Sequence, residues 1–183
     1  MVNVTVESTP NPATMKFLPG GPVLAEGTAN FASPDVAHDS PLAQRLFGIA
    51  GVRGVFLGAD FISIAKSEDV DWADLELAVA SAILNHIEAG LPMLEEAKEE
   101  EDRAEVEDEV VARIRELIDN RIRPSVALDG GDIIFRSFDD GIVRVRLQGA
   151  CAGCPSSAGT LKMGLENLLR HYVPEVRAVK AAD

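Results

Sequence analysis

The two cysteines are the residues of this sequence whose type and spacing could do chemistry. Cys151 and Cys154 are separated by two residues, and Gly149 and Gly153 lie within the same run. This spacing lets both sulfurs face one centre, and the glycines let the backbone bend tightly around them. Zinc sites, thiol-disulfide enzymes and iron-sulfur sites all use a Cys-x-x-Cys pair. The spacing therefore predicts a metal-binding or redox-active pair.

The position of the pair adds an electrostatic expectation. It follows a predicted strand at 142–147 and precedes a helix predicted from Ser156. Pro155 suits the start of that helix because its missing N–H is not needed there. The positive end of a helix favours a thiolate, which is the form that binds metals. We therefore expect a lowered pKa for these thiols.

The number of ligands limits what the pair could hold. A thiolate-ligated zinc ion or four-iron cluster takes four cysteines, whereas this chain has two. His38, His86 and His171 are interpreted as surface or packing residues. The remaining ligands are therefore expected from a second copy of the chain or from a client, in a shallow and exposed site.

Charge is concentrated in one short segment. The net charge is −13, and residues 95–109 hold ten acidic and two basic residues. An acidic chain repels phosphate backbones and anionic membranes, so we expect no nucleic-acid and no membrane partner. No apolar run approaches the roughly 18 residues of a transmembrane helix. The start has no secretory or transit pattern, so the expected location is cytoplasmic: the bacterial cytosol, or the mitochondrial matrix for a mature organellar form.

The chain is predicted to be of the α+β class, with two small α/β domains joined by an acidic linker. The domains are predicted at 1–94 and 106–183, and the linker at 95–105. The first domain is predicted to contain strands at 2–6 and 15–18, a helix begun by Ser40-Pro41, strands at 52–57 and 61–65, and a helix capped by Asp71. The second is predicted to contain a helix over 106–118, a turn at 129–132, strands at 133–135 and 142–147, a helix from 156 and a strand at 176–179.

Several short runs carry a family resemblance. The second domain resembles the C-terminal domain of NifU-like (Nfu) proteins, and the first resembles their N-terminal module. In the second domain the matching runs are Leu128-Asp129-Gly130-Gly131-Asp132, Gly149-Ala150-Cys151-Ala152-Gly153-Cys154-Pro155-Ser156-Ser157, Thr160-Leu161-Lys162 and Gly164-Leu165-Glu166. In the first they are Glu7-Ser8-Thr9-Pro10-Asn11-Pro12, Met15-Lys16-Phe17, Gly51-Val52, Val55-Phe56 and Phe61-Ile62-Ser63-Ile64.

The resemblance implies an iron-sulfur cluster scaffold or carrier, which is not an enzyme. Cys151 and Cys154 would ligate a labile 4Fe-4S cluster, with 2Fe-2S as the smaller form, shared by a homodimer. Gly149, Gly153 and Pro155 would shape the loop. The implied partners are apo iron-sulfur client proteins and an upstream assembly scaffold, and the first domain would be a platform for them. A thiol-disulfide redox protein, a zinc-binding module and a metal-free adaptor remain the alternatives.

Overall fold

The protein consists of two compact units, each with its own sheet and its own hydrophobic core. The computed structural model describes residues 3–95, 108–154 and 157–182. One unit ends at Lys98 and the other begins at Glu99. Helices and strands occur in both, so the predicted α+β class is confirmed. Most of the predicted acidic linker lies outside the described residues. Within the described ranges, no helix is long and apolar enough to cross a membrane.

The first unit is a five-stranded antiparallel sheet with two helices. Its strand order is β1-β2-β5-β4-β3. Phe17, Ile62 and Ile64 belong to the core together with Leu75 and Val79 of the second helix. The elements are β1 (Thr5–Ser8), β2 (Thr14–Leu18), β3 (Ala29–Phe31), a 3-10 turn (Pro34–Val36), α1 (Pro41–Phe47), β4 (Val52–Leu57), β5 (Ile62–Lys66) and α2 (Trp72–Glu88).

Local sequence patterns predicted most of these helices and strands. Ser40 caps α1 as predicted, because its side chain accepts a hydrogen bond from the Ala43 amide at 3.0 Å. Asp71 precedes α2, but its side chain makes no capping hydrogen bond. The predicted order was incomplete, since β3 and the 3-10 turn were missed. A strand of three residues between Gly27 and Pro34 is too short to show an alternating pattern.

The second unit is a three-stranded sheet with helices. Strands β6 and β7 form an antiparallel hairpin, and the last strand, β8, pairs in parallel with β7. The core joins Ile114, Ile133, Val143, Leu165 and Val179. The elements are α3 (Glu109–Leu117), a π-helical segment (Ile118–Ile122), α4 (Arg123–Leu128), β6 (Gly131–Asp139), β7 (Ile142–Gly149), α5 (Ser157–Tyr172) and β8 (Ala178–Ala181).

The first helical region of this unit extends further than predicted. The helix expected over 106–118 continues through the π-helical segment and α4 to Leu128. The π-helical turn accommodates Pro124, which lies in the first turn of α4, where its missing N–H is not needed. Gly131 and Asp132, expected in a turn, already belong to β6. The last strand lies two residues beyond the predicted 176–179.

Candidate metal centre

The cysteine loop leaves the end of β7 and leads to α5. Gly149 has φ 60° and Gly153 has φ 69°, a conformation that glycine adopts without steric cost. The Ala150 amide donates to the Gly130 carbonyl at 3.1 Å, which joins the loop to the turn before β6. The predicted bending at the two glycines is confirmed, whereas Pro155 lies outside the described residues.

Both thiols face the interior of the second unit. Cys151 is 5% exposed, Cys154 is 2% exposed, and neither forms a disulfide. Cys151 belongs to the hydrophobic core of the unit. The expectation of a shallow, exposed site is therefore wrong for the single chain. A neutral thiol packs as a small apolar group, so the loop turns both cysteines inward.

The pKa of Cys151 is shifted in the direction opposite to the prediction. Burial raises the pKa of this thiol to about 12, and the negative charges of Asp129, Cys154 and Asp132 act in the same direction. The helix dipole was expected to lower the pKa. Desolvation is the largest cause of the observed shift and the nearby negative charges add to it, so together they outweigh the helix dipole.

Gly131 makes room for the first cysteine. A Cβ placed on Gly131 would overlap the Cys151 Sγ and would lie 2.9 Å from the Cys151 amide nitrogen. The two strands pair here, with Gly131 opposite Gly149. Any side chain at position 131 would therefore displace Cys151 from its place against β6. The sequence pattern predicted only a turn at this glycine.

An ion pair between Arg123 and the buried carboxylate of Asp132 holds the start of β6. The Arg123 Nε donates to Asp132 Oδ1 at 2.8 Å, and its second terminal nitrogen donates to Oδ2 at 2.9 Å. Asp132 is 3% exposed, and its Oδ1 also accepts the Ile133 amide at 2.8 Å. The hydrogen bond to Asp132 raises the pKa of Arg123. This pair holds the strand end against which Cys151 packs. Apart from the opposite charges, no sequence pattern indicated it.

Other metal-binding groups do not converge near the cysteines. In the part of the chain that the structure describes, no three His, Cys, Asp or Glu residues are placed to hold a metal ion. His38 and His171 are exposed, as expected of surface residues. His86 is buried in the first unit, where its Nε2 lies 2.9 Å from the Pro92 carbonyl. The arrangement thus offers two thiols per chain for a thiophilic metal.

Two regions of the sequence match known domain families, one in each unit. Residues 4–90 match the N-terminal region of the scaffold protein Nfu/NifU, and residues 114–180 match the NifU-like domain. The human mitochondrial NFU1 iron-sulfur cluster scaffold homologue is 48% identical over 179 residues, which are 97% of this chain and 70% of that protein. This chain belongs to the Nfu family.

A further Nfu relative and one solved structure are also similar to this chain, to differing degrees. The mitochondrial NFU1 homologue of Drosophila willistoni is 48% identical over 180 residues, which are 97% of this chain and 62% of that protein. The chain thus spans less than two thirds of the fly relative. The solution structure of a NifU-like protein from Saccharomyces cerevisiae matches with a TM-score of 0.48 and 20% identity, over 53% of this chain and 87% of that one.

Proposed function

We propose that this chain is an iron-sulfur cluster scaffold or carrier, in which two copies hold one 4Fe-4S cluster and pass it to apo-proteins. The relatives named as iron-sulfur cluster scaffolds, at 48% identity over nearly the whole chain, support the scaffold role. The cluster is the cargo of the protein, so the chain binds and releases it and does not turn over a substrate.

Cys151 and Cys154 are the proposed ligands. They are the only cysteines in the sequence, and both lie in one loop without forming a disulfide. Four thiolates complete a 4Fe-4S cluster, so the pairs of two subunits supply the set. This single observation, two thiols in one glycine-bent loop that form no disulfide, carries the proposal of a homodimer joined by its cluster.

The buried position of the thiols adds a requirement to this proposal. With exposures of 5% and 2%, neither sulfur can reach a partner chain while the loop keeps its present position. The loop must turn outward when the cluster binds and can return when the cluster leaves. Loss of the cluster thus buries the thiols again, which suits a cargo that is handed on. A reducing compartment, the bacterial cytosol or the mitochondrial matrix, would keep both thiols available.

Anaerobic reconstitution with iron and sulfide tests the proposal. We expect about four irons and four sulfides per dimer, a broad visible absorption and a doubled mass in solution. The Cys151→Ser/Cys154→Ser variant should lose all three. Two irons per dimer would instead indicate the 2Fe-2S form.

Four other results would contradict the carrier role or the proposed ligands. Tightly bound colourless metal would indicate a zinc module, and an internal disulfide that cycles in a monomer would indicate redox chemistry. Normal cluster binding by the double variant would show that the two cysteines are not the ligands. Unchanged interactions with apo-proteins when both cysteines are replaced would favour a metal-free adaptor.

A further inference from the structure

The strand that leads into the cysteine loop carries a row of cations on its outer face. Along β7, Val143 and Val145 point into the core, with exposures of 0% and 3%. Arg144 and Arg146 alternate with them, so both lie on the opposite face of the sheet. Arg144 is exposed and Arg146 is half-buried.

The neighbouring strand extends the row. Lys180 of β8 is directly beside Arg144 in the parallel register, and Val179, which precedes it, is fully buried in the core. Lys180 therefore lies on the same outer face as the two arginines and is exposed. We call Arg144, Arg146 and Lys180 the basic sheet face.

These cations have no counter-charge of their own. Among the side-chain hydrogen bonds and ion pairs of the described residues, none involves the side chain of Arg144, Arg146 or Lys180. Two carboxylates share the face. Asp132 at one end is paired with Arg123, and Asp139 at the hairpin end stands opposite Ile142. Like charges on adjacent strands repel, so placing Arg144 beside Lys180 costs stability in the isolated chain.

The basic sheet face lies next to the proposed cluster site. Arg146 precedes Gly149 by three strand residues, which corresponds to about 10 Å along β7. A partner that covers these cations therefore reaches the cysteine loop. The basic sheet face is therefore a local cluster of positive charge in a chain whose net charge is −13.

We propose that the basic sheet face docks an acidic segment of the apo-protein that receives the cluster; this rests on the carrier role proposed above. Charge complementarity selects an anionic occupant, because three unpaired cations gain energy when carboxylates approach them. A protein is favoured over a nucleic acid because the rest of this acidic chain repels a long phosphate backbone. Docking places the acceptor beside Cys151 and Cys154.

Binding of a synthetic peptide of ten glutamates to the full-length apo chain tests the docking surface. We expect amide resonances of β7 and β8 to shift, and the affinity to fall as salt rises. Arg144→Glu/Lys180→Glu should weaken binding at least about tenfold. This variant keeps a pair of like charges on the two strands, so its fold is perturbed little. The control Arg113→Glu/Lys162→Glu has the same charge change elsewhere in the unit and should bind within about twofold of the wild type.

A single substitution separates docking from folding. Lys180→Glu replaces a repulsive neighbour of Arg144 by an attractive one. It should raise the urea midpoint of the apo chain and still weaken peptide binding. A variant that is more stable but binds less well cannot owe its loss to misfolding.

Several outcomes would overturn the proposal. One is an equal loss of peptide affinity in the test and control variants. Another is a set of resonance shifts confined to other surfaces. A third is binding of a 20-nucleotide single-stranded DNA on this face that is tighter than binding of the peptide. A tenfold gain in peptide affinity when Glu99, Glu100 and Glu101 are changed to Gln would mean that the chain's own acidic residues occupy it. Doubling of the apo mass, lost in Arg144→Glu/Lys180→Glu, would indicate a second copy.

The carrier role is checked separately in the same proteins. Reconstituted iron and sulfide per dimer should be unchanged in Arg144→Glu/Lys180→Glu, while transfer to an acidic apo-ferredoxin slows about tenfold at low salt. Unchanged transfer would overturn the docking proposal alone. Failure of the wild type to take up a cluster would overturn the carrier role and leave the peptide result intact.

Discussion

At the scale of single residues, Cys151 depends on the absence of a side chain at Gly131. The Cys151 sulfur occupies the space where a Cβ of residue 131 would be. Both residues lie beside the hairpin end, where Gly131 pairs with Gly149. The position of a proposed ligand is thus set by a glycine 20 residues earlier in the chain.

Gly131→Ala should therefore destabilise the apo chain. The added methyl forces Cys151 away from its buried position against β6, and we expect the free energy of unfolding in urea to fall by about 1–3 kcal/mol. Gly164→Ala is the matched control, because nothing lies within 4 Å of its Cβ position. In an exposed helix position this change should stabilise the chain by about 0.5–1 kcal/mol. Equal urea midpoints of the two variants would contradict the prediction.

The raised pKa of Cys151 makes the stability of the apo chain depend on pH. An ordinary thiol has a pKa near 9.0, and the folded value is about 12. Between these values the unfolded chain releases the proton and the folded chain keeps it. Stability is therefore unaffected by this group below about pH 9 and falls above it, by at most about 1.4 kcal/mol per pH unit.

Urea unfolding of wild type and Cys151→Ser at about pH 8 and about pH 10.5 measures this effect. The wild type should lose more stability than the variant over that interval. Other groups that titrate at high pH contribute to both proteins and cancel in the difference. The same loss in both would show that Cys151 is not held as a neutral thiol.

At the scale of elements, Arg123 links α4 to β6 through one buried carboxylate and to the π-helical segment through one exposed carboxylate. The Asp132 side chain is 5% exposed and lies 2.8 Å from the Arg123 Nε. The Asp119 side chain is 56% exposed and lies 3.2 Å from the Arg123 Nη1. Burial makes the first contact the stronger, since solvent screens the second.

Asp132→Asn and Asp119→Asn should consequently differ in stability. The first removes a carboxylate that accepts two bonds from Arg123 and one from the Ile133 amide, and we expect a loss of about 1–3 kcal/mol. The second should cost about 0.5 kcal/mol or less. Urea midpoints of the two apo variants provide the comparison, and similar midpoints would contradict the role given to the buried pair.

At the scale of the whole molecule, the two units have separate cores and separate sheets. The core of the first is built from residues up to Leu94, and that of the second from Val110 onward. The matches to the two domain families fall in the same two regions, residues 4–90 and 114–180. The domain limits of 94 and 106 stay a prediction, since residues 96–107 lie outside the described ranges.

Residues 99–183 expressed alone should fold cooperatively and take up the same iron per dimer as the full chain. The reason is that the cysteine loop, Gly131 and the Arg123–Asp132 pair all belong to this unit. The urea unfolding curve of this fragment and its reconstituted iron content, compared with those of the full chain, test the prediction. A non-cooperative transition, or a loss of iron with the fold intact, would show that the first unit contributes to the site.

Local sequence patterns were sufficient to predict the features that depend on near neighbours. The Ser40 cap of α1, the hairpin between β6 and β7, and the glycines that bend the cysteine loop each follow from a few adjacent residues. The cysteine pair and the runs around it were also sufficient to identify the family. The continuation of the helix to Leu128 was missed because a π-helical turn has no local pattern that distinguishes it.

Which of these residues come into contact depends on the folded chain. The burial of both thiols reverses the expected shift in the pKa of Cys151, because packing outweighs the helix dipole. The contact of Gly131 with Cys151 and the juxtaposition of Lys180 with Arg144 arise from strand register. Register joins positions distant in the chain, and local patterns carry no information about which residues will be opposite each other.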